Sequence, residues 1–225
     1  MFLTHLTPVE NSIFSLLAVV SLLLAFVMLG SHWLENYVYA FAAESWLIAI
    51  LSASIGYFGH YPELYEIAVL TTLFRGLVLP YLLMRIVRRL NVKRELHALI
   101  QPALGLVISS LLVIFAFVLA THVSRDVAAG NIVILALTVM LSMKLIGFFM
   151  LAARDEAVSQ ILALLVLENG IFLGSQILIP GMPILIEIVI LFDLLIVVAC
   201  FAVLVRYLVV HAGTTSSRQL KRLVG

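Results

Sequence analysis

The chain has 225 residues, 64% of them hydrophobic and only 11% charged, with a formal net charge of +1. Soluble domains are nearer half apolar and a quarter charged, so a water-soluble globule is excluded and the unit to count is the membrane-spanning helix of roughly 20 apolar residues. The near-zero net charge offers no electrostatic basis for binding nucleic acid, and a single cysteine excludes an internal disulfide, a CxxC metal site and a cysteine-ligated iron–sulfur cluster.

Seven helices are predicted. The first covers 11–31. No Lys or Arg precedes it and no clear small-residue cleavage site follows, so it is expected to be a retained helix rather than a cleaved signal. The second covers 36–58 and is followed by the turn Gly59-His60-Tyr61-Pro62. The third covers 63–87 and leads into the most polar stretch, 88–95. The fourth covers 102–121, with Pro102 acceptable in a first turn. A loop separates it from the fifth helix, 131–153, which ends at the polar turn Arg154-Asp155-Glu156. The sixth covers 157–179, Pro180-Gly181-Met182-Pro183 breaks the chain, and the seventh covers 184–210. Cys200, within that last run, is expected to be a small buried apolar residue.

Basic residues orient the bundle. Arg85, Arg88, Arg89, Lys93, Arg94, Arg154, Arg206, Arg218, Lys221 and Arg222 fall on one side, which is 10 of the 13 Lys and Arg. Seven helices satisfy that asymmetry with the N-terminus outside and the C-terminus in the cytoplasm of the cell (inner) membrane. A faint repeat divides the chain further. Residues 61–70 resemble residues 182–191, and each stretch follows a helix with an internal glutamate, Glu44 or Glu168. Each opens a helix ending in arginine, Arg85 or Arg206. The expected organisation is a three-helix unit at 1–100, a linking helix and loop at 101–130, a second three-helix unit at 131–212 and a cytoplasmic tail at 213–225. Both units start on the same side, so the repeat is parallel rather than inverted.

Arg75, Lys144, Glu168 and Asp193 lie far from the ends of their helices, near the bilayer midplane at about 1.5 Å rise per residue. Glu44 lies about a third of the way up from the cytoplasmic side. A charge at a helix centre costs roughly 2.5–3.5 kcal/mol on insertion scales. These groups must therefore face protein or water, pair, or give up their charge. Depth suggests Lys144 and Glu168 as partners, with Asp193 at the same level. The functional reading is a relay of proton-exchanging groups; the structural one is a set of ion pairs that fix helix packing. Glu66 and Glu187 sit in first turns on the outer side, where an acid also complements the helix dipole. The six histidines fall at helix ends, loops or tails, with no metal-ligand spacing. Gly170 and Gly174 form a G-x-x-x-G pair that favours close packing.

The stretch 157–170, ending Leu167-Glu168-Asn169-Gly170, resembles the second helix of the small K-type subunit of respiratory complex I, and more closely component E of hydrogenase-4. In that family the Glu-Asn-Gly is followed by Glu-Ile and an acidic residue six further on. Here these are Glu187-Ile188 and Asp193. Arg75-Gly76-Leu77-Val78-Leu79-Pro80 resembles the family's basic residue before a Leu-Val-x-Pro-like stretch. The resemblance covers most of the chain and is strongest over 154–206. It implies a non-catalytic membrane-arm subunit of a group 4 hydrogenase-like or complex I-like oxidoreductase. Glu168 and Asp193 then stand at the two carboxylate positions of a proton pathway, with Lys144 beside them and Glu187, Glu44 and Arg75 in support. Antiporter-like subunits are the implied partners. Nickel–iron and iron–sulfur centres are expected in other subunits, and none in this chain. The alternatives are a subunit of a multisubunit cation/proton antiporter and a structural membrane anchor.

Overall fold

The computed structural model describes residues 8–31, 33–90, 100–125, 130–154 and 157–179, together with scattered positions between 188 and 207. Among them the chain is helical, without strands. The helices are α1 (Pro8–Gly30), α2 (Leu34–Gly59), α3 (Glu63–Leu73), a π-helical turn (Phe74–Val78), α4 (Leu79–Leu90), α5 (Pro102–Arg125), α6 (Asn131–Ala153) and α7 (Ala157–Leu178). α3, the π-turn and α4 form one continuous rod. Six rods are long and apolar enough to cross a membrane. This is a helical membrane protein. The described positions within the expected seventh helix, from 188 to 207, are helical as well. The basic stretch 91–99, the tail and the residues of the 182–191 repeat up to Glu187 lie outside the described residues.

Helices form because hydrocarbon offers the backbone no hydrogen-bonding partner, so each segment must satisfy its own N–H and C=O groups. Hydroxyls follow the same rule. Ser45, Ser52, Ser54, Thr72, Ser110 and Thr138 each donate to the carbonyl four residues back. α2 stops where His60 turns into the left-handed region, φ 55°, and its N–H reaches Gly56 O. The π-turn has a local cause. Pro80 carries no N–H and its ring crowds the carbonyl of Gly76, four residues earlier. The turn before it widens, and Leu79 N–H reaches back five residues to Phe74 O.

α2 is the hub, with α1, α3, the π-turn, α4 and α7 packed around it. The most extensive packing is between α6 and α7, and glycines allow it. A Cβ at Gly147 would stand 2.8 Å from Leu167 Cβ, and one at Gly170 would stand 2.6 Å from Met143 Cβ. The G-x-x-x-G pair thus does what its spacing predicts: Gly174 packs as closely on Met140. α5 is the most peripheral span. It leans on α6 and α1 and exposes Leu111, Ile114, Phe115 and Val118.

Two apolar clusters fill the interior, one towards each end of the rods. The first gathers Met28, Leu34, Phe41, Leu83, Ile146, Leu162 and Val166. The second gathers Phe14, Ile48, Ile55, Ile67, Val139, Met143 and Phe172. At the first, basic end stands Arg154, from the expected polar turn. It is buried, donates from Nη2 to Leu29 O at 2.6 Å and lies over the Tyr37 ring at 5.2 Å. The cation thereby caps a carbonyl in the last turn of α1 and ties the α6–α7 corner to the α1–α2 corner. Cys200 departs from expectation. It is exposed among the described residues.

Gly170→Ala should cost about 1–3 kcal/mol, because the fixed Met143 Cβ cannot retreat without moving a backbone. Gly130→Ala, with nothing within 4 Å, meets no clash and should cost only the weaker N-cap preference of alanine, below about 1 kcal/mol. Thermal midpoints of both variants in detergent check the contrast.

Candidate functional site

Between the two apolar clusters lies a polar layer. It takes Glu44 from α2, Arg75 from the π-turn, and Glu168 and Asn169 from α7. Glu44, Arg75 and Asn169 are each 0% exposed, and the Glu168 side chain is 18% exposed. Each position follows from its flanks. Glu44 lies between Phe41 of one cluster and Ile48 of the other, and Asn169 between Val166 and Phe172.

The groups form a chain. Arg75 Nη1 donates to Asn169 Oδ1 at 2.9 Å, and Asn169 Nδ2 donates to Glu44 Oε2 at 3.1 Å. Arg75 Nη2 lies 3.9 Å from Glu168 Oε2, a long ion pair. The guanidinium also stacks over the Phe172 ring, 4.5 Å from its centroid, a contact of cation–π type. One guanidinium therefore serves two carboxylates, one directly and one through an amide. Glu44 Oε1 has no hydrogen-bond partner among the described residues.

The π-turn brings Arg75 to this place. Gly76 beside it leaves room for Trp46, whose Nε1 would be only 3.1 Å from a Cβ there. Farther from the basic end, Ser52 Oγ donates to Gln176 Oε1 at 2.6 Å, a second buried bond between α2 and α7.

The expected site residues divide into four groups. Arg75, Glu168 and Glu44 are brought together. Lys144 is half-buried on α6, and its backbone nitrogen lies 3.5 Å from a Cβ position at Gly170, so it stands at the level of the chain. The expected Lys144–Glu168 pair is absent among the described residues; the ion pair of Glu168 goes to Arg75. The two residues stand at similar levels along their helices, but their side chains do not pair among the described residues. Glu66 is exposed in the first turn of α3, away from the layer. Glu187 and Asp193 lie outside the described residues. Asn169, the link in the middle, had no assigned role from sequence. Its signal was an amide directly after an intramembrane acid.

Among the described residues no three His, Cys, Asp or Glu side chains gather as metal ligands. A cleft of about 530 Å³ opens at the end opposite the basic one, lined by Glu10, Gly56, Tyr57, Phe58, His60, Pro62 and Tyr65. None of the expected site residues lines it.

The chain is similar to a Mycobacterium tuberculosis protein described as "Uncharacterized protein Rv0085", at 34% identity over 139 residues. The match covers 61% of this chain and 61% of that protein. No protein-family model matches the chain, and neither does any solved structure.

Arg75→Ala should destabilise the fold by about 3–5 kcal/mol, since it leaves buried carboxylates without their cation. Arg75→Lys should recover only part, because an ammonium cannot reach Asn169 and Glu168 as a planar fork does. Arg88→Ala serves as the control. Its pair with Glu35 is 4.0 Å long and lies at the surface, so less than about 1 kcal/mol is expected. Thermal unfolding in a non-ionic detergent reads all three.

Proposed function

We propose that this protein is a non-catalytic membrane-arm subunit of a group 4 hydrogenase-like or complex I-like assembly, and that its intramembrane acids serve proton translocation or its coupling. The observation that carries the reading is the buried chain Glu168–Arg75–Asn169–Glu44. Two acids and one cation at mid-depth, enclosed above and below by apolar clusters, form a group whose charge changes by one when a proton arrives. Ionisable residues inside the membrane are costly and are by default a functional-site hypothesis. In this reading Glu168 is the accessible member, since its side chain keeps 18% exposure. It exchanges protons with Asp193 and Lys144, while Arg75 and Glu44 respond to its charge. Glu187 and Glu66, in first turns at one end, act as surface acids feeding the pathway. The resemblance over Glu168-Asn169-Gly170 supports the same assignment.

The parallel repeat also gains support. α2 and α7, the glutamate-bearing helices of the two units, touch through pairs separated by 125 and 124 residues. A nearly constant separation along two helices means that they run parallel and in register. The Arg154–Leu29 bond between the ends of α6 and α1 spans 125 residues as well. Equivalent helices of two related units pack this way around an axis along the membrane normal. The orientation in this reading has the N-terminus outside the cell membrane and the basic end in the cytoplasm. Antiporter-like and other membrane-arm subunits are the partners, with nickel–iron and iron–sulfur centres residing there.

A second reading, a purely structural anchor, draws on the hydrogen bonds that Arg75 and Asn169 make within the layer. The two separate experimentally. The tagged protein, purified from its native membrane in mild detergent, should bring antiporter-like subunits with nickel and iron. Glu168→Gln should assemble normally but lose most proton translocation. Undiminished translocation in an assembled Glu168→Gln variant contradicts the relay and favours the anchor. Antiporter-like partners without redox metal, with sodium-dependent activity, point to a cation/proton antiporter.

A further inference from the structure

The direction of the bonds at Asn169 has a chemical consequence. A guanidinium has donors only, so whatever meets Arg75 Nη1 must be an acceptor. Asn169 therefore turns its carbonyl oxygen to Arg75, and its NH2 is left facing Glu44 Oε2. The amide cannot flip without setting donor against donor. Glu44 Oε2 consequently always receives a hydrogen bond and has no acceptor to which a proton of its own could point. The other oxygen, Oε1, is buried and makes no hydrogen bond among the described residues.

We infer that Asn169 is a positioning residue that confines the proton of Glu44 to Oε1, so that the Arg75–Asn169 bridge couples Glu44 to Glu168 electrostatically while passing no proton between them. Protonation forms one O–H bond at Oε1, with a proton drawn from the aqueous phase, and breaks no bond in the bridge. Arg75 can neither accept that proton nor release one of its own at physiological pH, and the amide holds its orientation throughout. Glu44 and Glu168 thus exchange protons without using the bridge, and each feels the charge of the other. This inference rests on the reading of the layer as a proton-exchanging site and adds to it which atom takes the proton and which residue dictates that.

Among the described residues, the elements around Glu44 bring few other titratable groups. The π-turn brings Arg75, and α7 brings Glu168 and Asn169. Lys144 of α6 stands at the same level behind Gly170. α1 and α3 contribute the buried hydroxyls of Ser21 and Thr71, which do not titrate, and α4 carries Arg85 and Arg88 towards the basic end.

Infrared difference spectra between acid and alkaline buffer, on the whole protein in lipid bilayers, test the inference. The wild type should show the carbonyl stretch of a protonated carboxylic acid that disappears in Glu44→Gln. In Asn169→Leu that band should move to higher frequency, because Oε2 loses its donor. Asn169→Asp preserves shape and the contact with Arg75 but sets an acid against Oε2. It should also displace the band, and it covers the case in which the leucine variant fails to fold. A Glu44→Gln spectrum that superposes on the wild type overturns the inference. So does a Glu44 band that stays in place in the Asn169 variants. The relay reading fails separately: undiminished translocation in Glu168→Gln removes it while leaving the Glu44 band intact.

Discussion

A guanidinium with no exposure, in the middle of a bundle whose outer faces are hydrocarbon-like, dictates much of what surrounds it. Arg75 cannot lose its proton, so it must be met by acceptors and by the face of an aromatic ring. Asn169, Glu168 and Phe172 provide these from one helix, α7. Their spacing is helical: 168, 169 and 172 lie on one side of α7, so a single rod surrounds the cation on several sides. That requirement ties the α3–α4 rod to α7 through the Arg75 side chain, while both pack on α2, which brings Glu44 to the far end of the amide. The π-turn, which has a local cause of its own, is where Arg75 sits. Pro80 widens the rod one turn after Arg75, and Gly76 lets Trp46 close over the gap.

Away from this layer the bundle is held by shape. Glycines at 147, 170 and 174 bring α6 and α7 to near backbone contact. In hydrocarbon this is how helices gain attraction, since lipid tails are as apolar as the side chains they replace. The apolar clusters on either side keep the polar layer thin. A charge in such a layer is felt over a longer distance than in water, because the surroundings screen it little. That is a physical basis for coupling between Glu44 and Glu168, which share no direct contact but share Arg75.

Much of this was legible in the amino-acid sequence, and the limits have a common cause. The predicted span 131–153 coincides with α6, and 157–179 with α7 to within one residue. Hydropathy and the boundary charges carry that information. The depth of Arg75, Glu168 and Lys144 also followed from counting residues along a rod. Rotation about the rod did not. These helices are apolar nearly all round, so no amphipathic stripe says which side faces the interior, and the pairing of Glu168 with Lys144 rather than Arg75 was a natural misreading. The same blindness hid Asn169, whose role depends on two partners 94 and 125 residues away. The π-turn was hidden because its signal, Pro80, reads equally as a tolerated proline in a membrane helix. The contact of Arg154 was hidden because its acceptor is a backbone carbonyl of α1, which no side-chain pattern reveals.

The central claim is that the Arg75–Asn169 contact joins two parts of the bundle as one energetic unit. A double-mutant cycle on stability, with Arg75→Gln, Asn169→Leu and the pair together in lipid-like detergent, measures that directly. The account predicts a coupling of roughly 1–3 kcal/mol, the range found for contacting residues in one network. Effects that add to within about 0.5 kcal/mol, as for independent sites, would contradict it.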